Sequence, residues 1–183
     1  IPNNGDILGL QVEADMNYLI GNPYPSAIDA NKFIRDNLQN VEGGQNTENI
    51  FNGTLYFWDH FGPVNTLILA DYIGGYAALN LIGGTKAITN DERVNEAAGD
   101  GNKTPKQFIP VGQSFFINST NAGFDENINI NGGMVIFKNS QRIFKEENNS
   151  PSVFLKPEVV VKENKQSEKE IEKIRISYKS PLG

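Results

Sequence analysis

Leu19-Ile20-Gly21-Asn22-Pro23-Tyr24-Pro25-Ser26-Ala27-Ile28-Asp29-Ala30-Asn31-Lys32-Phe33 reads as a strand end, a rigid turn and the first turn of a helix. Leu19 and Ile20 close the strand. Pro23 and Pro25 each fix φ at about −65° and push the residue before them towards extended backbone. Asn22-Pro23 is a turn-initiating pair. Asp29 falls where a helix N-cap belongs, with a carboxylate able to accept from the free N–H groups of the first turn. Ile28 before it and Phe33 after it have the spacing of a hydrophobic staple. The pattern predicts a helix over 30–37, with Phe33, Ile34 and Leu38 on its inner side. The turn is either a ligand-contacting loop or a rigid corner that starts a helix. The second reading is favoured, because the stretch holds no nucleophile–base pair, no phosphate cradle and no set of soft metal ligands.

Outward from this corner the chain reads as short strands separated by turns. Strands are predicted over 7–12 and 18–20 before it, and over 53–59, 67–72, 76–81, 108–118, 134–137 and 142–144 after it. The strand at 53–59 carries Tyr56, Phe57 and Trp58 and is broken by His60-Phe61-Gly62-Pro63. Gly74-Gly75 is read as a bend, Gly112 as a bulge in the long strand, and Gly132-Gly133 as a second bend. Residues 40–49, 82–85 and 89–104 are polar and glycine-rich, which marks surface loops. Short strands are also expected at 153–155 and 158–162. Residues 163–170 are nearly all charged or amide and read as a disordered loop. Residues 171–178 return to alternation, with Ile174, Ile176 and Tyr178 on one face, as in a half-buried strand.

The 183 residues give room for one domain with a real core, and 38% hydrophobic with 10% aromatic content is globular. A net charge of −6 argues against nucleic acid, which needs a clustered basic face. No apolar run approaches the roughly 20 residues of a membrane span. Cysteine is absent, which removes thiol catalysis, disulfides and thiolate metal sites. Asparagine makes up about one residue in eight, and with 18 glycines it implies many turns between short strands.

Candidate chemistry is sparse. His60 is the single histidine, beside Asp59 and Trp58, and an acid–base role would need a partner and a pocket. No Gly-x-Ser-x-Gly nucleophile elbow exists, and no carboxylate pair is singled out. Asn127-Ile128-Asn129-Ile130-Asn131-Gly132 has the outline of a calcium loop, but Lys138 stands where the bidentate Glu belongs. A strand with Ile128 and Ile130 inward is the favoured reading there. Tyr24, Tyr56, Trp58, Tyr72 and Tyr76 are the candidate ligand-binding residues, as a platform for sugar rings. A buried aromatic core explains the same residues and is preferred.

Five stretches carry a resemblance. They are Leu19 to Ser26, Gly53-Thr54-Leu55-Tyr56-Phe57-Trp58-Asp59-His60, Ala70-Asp71-Tyr72-Ile73-Gly74-Gly75-Tyr76, Ile109-Pro110-Val111-Gly112-Gln113-Ser114-Phe115-Phe116, and Asn139-Ser140-Gln141-Arg142. Together they resemble a module of large secreted Bacteroidetes proteins, the adhesin-like cargo of type IX secretion. The resemblance implies a secreted or cell-surface address and neighbouring domains of the same polypeptide as partners. It supplies no catalytic residues. In similar proteins the chain continues past the strand around Ser177 to a sorting domain, so 1–183 is expected to be a single β-rich domain within a larger unit.

The expectation is therefore a mainly β fold, an antiparallel, jelly-roll-like β-sandwich with one short helix. The expected function is a non-catalytic structural or adhesive module, with a carbohydrate-binding module holding surface glycans as the alternative. No catalytic residue, cofactor, metal, nucleic acid or membrane insertion is expected.

Overall fold

The computed structural model describes residues 7–60, 74–88, 101, 103–121, 129–145 and 152–153. Tyr72, the expected strands at 67–72, 158–162 and 171–178, the loop at 163–170 and nearly all of 89–104 lie outside the described residues.

The described chain runs β1 (Ile7–Val12), β2 (Asn17–Gly21), β3 (Ala27–Asp29), α1 (Ala30–Asp36), β4 (Leu55–His60), β5 (Gly74–Leu79), β6 (Gly84–Thr85), β7 (Phe108–Ile109), β8 (Ser114–Asn118), β9 (Gly133–Lys138) and β10 (Arg142–Ile143), with a 3-10 turn at Asn139–Gln141 before β10. The fold is mainly β, with antiparallel sheets in a sandwich-like arrangement around one short helix. A five-stranded sheet has the order β2-β8-β4-β5-β6, a three-stranded sheet β10-β3-β7, and β1 pairs with β9.

Helix α1 forms where the corner predicts. Asp29 is its N-cap and accepts from the backbone N–H of Asn31 and Lys32. The Gln107 amide also donates to both Asp29 carboxylate oxygens, at 3.2 and 3.3 Å. Ile28, Phe33, Ile34 and Leu38 are all buried. The Phe33 ring is the hub of the core: its centroid lies 4.9 Å from that of Phe137 on β9, 5.6 Å from Phe115 on β8 and 6.0 Å from Phe51. The helix thus fills the space between the inward face of the five-stranded sheet and the β1–β9 pair. Leu55, Phe57, Ala77, Leu79, Ile117 and Val135 complete the same cluster.

Five local expectations are corrected. The run 108–118 is two strands in two sheets, because the chain turns at Pro110–Gln113, with Gln113 N–H donating to the Pro110 carbonyl and Gly112 at φ 74°. Gly112 therefore sits in a turn, not a bulge. Gly74 and Gly75 lie inside β5, not at a bend before it. His60 is the last residue of β4, not a break in it. Gly84 and Thr85, expected in a loop, form the edge strand β6. The bend at Gly132-Gly133 stands, with φ of 69° and 119° immediately ahead of the straight part of β9.

The quoted corner is closed by one asparagine. The Asn22 amide reaches the carbonyls of Ser26, Ile109 and Pro110 at 2.8, 3.3 and 3.1 Å, and its oxygen accepts from Tyr24 N–H at 3.0 Å. The Arg142 guanidinium lies over the Tyr24 ring, 5.3 Å from its centroid, and donates to Ser26 Oγ. Three of the five stretches that carry the resemblance, around residues 19–26, 109–116 and 139–142, therefore meet in one buried joint.

Candidate functional site

Side chains alternate across a strand, so each strand of the five-stranded sheet has a core face and an outward face. On β4, Leu55, Phe57 and Asp59 are buried while Tyr56 is half-buried and Trp58 is 40% exposed. On β5, Ala77 and Leu79 point in and Tyr76 is 49% exposed. On β8, Phe115 and Ile117 are buried and Phe116 is half-buried. On β2, Leu19 is exposed next to buried Ile20. The register aligns Leu19 with Phe116, Phe116 with Tyr56, and Trp58 with Tyr76. The outward face therefore carries a contiguous set of large apolar side chains.

The rings do not lie flat. Trp58 and Tyr76 meet edge to face, with centroids 5.2 Å apart and planes at 71°. Tyr76 and Phe116 are perpendicular, at 90° and 5.6 Å. Edge-to-face contact sets the positive rim of one ring against the negative face of the next. Gly74 makes room for the indole, since a methyl group on it would lie 2.5 Å from Trp58 Cζ2. The result is a groove of about 320 Å³ lined by Asn17, Tyr56, Tyr76, Phe116 and Asn118.

Of the sequence candidates, Tyr56, Trp58 and Tyr76 come together on this face. Tyr24 does not: it is 3% exposed and belongs to the core. Tyr72 lies outside the described residues. Sequence reasoning missed Asn17, Phe116 and Asn118. Phe116 sits beside Phe115 in a run whose alternation is visible, but which of the two faces outward depends on the strand register.

Asp59 and His60 are neighbours on one strand, so their side chains leave on opposite faces. Asp59 is buried against Gly101, and neither residue lines the groove. No group of three or more His, Cys, Asp or Glu able to hold a metal ion occurs among the described residues. In the stretch read against calcium, Ile130 is buried and bridges Asn49, and the Asn129 carbonyl accepts from the Asn49 amide. Among the described residues no helix is long and apolar enough to cross a membrane.

These features define an antiparallel β domain with a buried structural joint and an exposed aromatic face. The chain belongs to a family described as a domain of unknown function (DUF8693), whose model matches residues 2–178. No curated protein and no solved structure matches it.

Proposed function

We propose that the chain is a non-catalytic adhesive module of a secreted bacterial surface protein, and that it attaches through the outward face of its five-stranded sheet. One observation carries this reading: Leu19, Trp58 and Tyr76 are 61%, 40% and 49% exposed on a single sheet face, around a groove. Contiguous exposed apolar surface is costly in water and marks contact sites. The resemblance to type IX secretion cargo supports the cell-surface address. Its motif residues at the Asn22 joint are engaged with one another, which fits an architectural role for them and leaves contact to the sheet face.

The test is retention of protein-coated beads on mucin, gelatin and cellulose surfaces under flow. The reading expects retention on at least one coat, reduced at least about tenfold by Trp58→Ala with melting nearly unchanged, as for an anchor residue at a contact. Equal retention of the variant would contradict it. So would turnover of a polysaccharide that His60→Ala abolishes.

A further inference from the structure

We infer that the groove holds one neutral sugar ring at the end of a glycan, with the ring's C–H face on Tyr76 and Phe116 and its hydroxyls on Asn17, Asn118 and Tyr56. This rests on the adhesive reading and names the ligand class of the same face.

The aromatic geometry excludes a long chain laid along a flat platform. Perpendicular rings at 71° and 90° offer one face and one edge each, which makes a notch and not a row. A volume of about 320 Å³ is at the small end of ligand sites.

The polar groups at the groove call for hydroxyls. Asn17 and Asn118 are register partners on β2 and β8, so their amides leave the same face side by side. Asn118 Oδ1 accepts from Thr120 N–H at 2.7 Å, which leaves its NH2 group to donate. The Asn17 side chain is exposed and bonds no described residue, so it presents both a donor and an acceptor. Tyr56 OH accepts from Asn52 Nδ2 at 3.0 Å, which leaves its own proton to donate outward. A ligand matching this set must donate and accept at neighbouring atoms, as sugar hydroxyls do; a carboxylate or phosphate only accepts. Among the described residues no charged side chain lines the groove, and a chain of net charge −6 repels anions. The ligand is therefore neutral.

The experiment is a titration of the whole chain with methyl glucoside, methyl galactoside, methyl mannoside, N-acetylglucosamine and sialyllactose, followed by side-chain amide NMR. At least one neutral sugar should shift the Asn17 and Asn118 NH2 signals, with a dissociation constant on the order of millimolar. Tyr76→Ala should weaken binding at least about tenfold, and Asn17→Ala roughly threefold to tenfold. Because the Asn17 side chain bonds no described residue, its variant should melt with the parent. Three results would overturn the inference: no neutral sugar shifting these signals, sialyllactose binding as well as neutral sugars, or Asn17→Ala binding unchanged. The first of them, alongside bead retention that still depends on Trp58, would leave the adhesive reading standing with a protein partner in place of a glycan; the other two, with the same retention, would leave it standing with a glycan held differently. Loss of Trp58-dependent retention would remove both.

Discussion

Asn22 and Asn37 show what this chain does with its asparagines. Asn22, 9% exposed, holds its two amide protons within reach of three carbonyls and accepts from one N–H at the corner. Asn22→Ala would take the amide from the Ile109 carbonyl, while the Pro110 carbonyl keeps the Gln113 N–H, so we expect a loss of about 2–3 kcal/mol by denaturant midpoint. Asp29→Ala removes a cap whose carboxylate also receives Gln107, and should cost about 1–2 kcal/mol. An equal or larger loss at Asp29 would show that the joint depends on the cap more than on the amide. Gly74→Ala is a third case: its methyl would meet Trp58 at 2.5 Å and the Asp59 carbonyl at 2.8 Å. The chain has one tryptophan, so its fluorescence reports this site alone. The variant should shift the emission and lose on the order of 1–3 kcal/mol; an unchanged spectrum would mean that the indole does not lie over Gly74. The cap at Asp29 was legible in the sequence, because it depends on residues adjacent in the chain. The Asn22 joint was not, because two of its three acceptors lie more than eighty residues away.

At the scale of elements, the same amide chemistry closes a sheet edge. Asn37, the C-cap of α1, is fully buried; its oxygen accepts from Ile136 N–H at 2.6 Å and its nitrogen donates to the Ile136 carbonyl at 3.0 Å. One side chain thus stands in for a neighbouring strand on β9, whose other side pairs with β1. The Lys138–Asp36 ion pair at 2.7 Å, and Gln141 donating to the second Asp36 oxygen at 2.8 Å, fasten the same helix end to β9 and the 3-10 turn. Asn37→Ala should therefore speed hydrogen exchange of the Ile136 amide selectively and cost about 1–3 kcal/mol. Uniform protection across β9 would contradict the edge assignment. Strand existence was readable from alternation: β1 spans the expected residues, and β2 and β4 fall within about two of theirs. What alternation cannot convey is sheet membership. The run 108–118 looks continuous because both of its halves are apolar, yet Pro110–Gln113 turns the chain from one sheet to another.

For the whole molecule, the division of labour is between a joint and a face. The stretches around residues 19–26, 109–116 and 139–142 build the joint, while the stretches at 53–60 and 70–76 supply Tyr56, Trp58 and Tyr76 to the face. The candidate site was half legible: the sequence offered these three residues with Tyr24 and Tyr72 as a platform but favoured a buried core for all of them, and it could not reveal that Trp58 and Tyr76 face outward while Tyr24 is buried, or that Asn17, Phe116 and Asn118 complete the groove, since that grouping follows from register. If attachment covers the outward sheet face, Trp58 reports it. The decisive measurement is acrylamide quenching of Trp58 fluorescence, with and without a saturating soluble form of whichever coat retains the beads. Quenching should fall severalfold when the ligand is bound, as expected when an anchor ring is shielded from solvent. Quenching that stays the same at saturation would place the contact elsewhere than the outward sheet face.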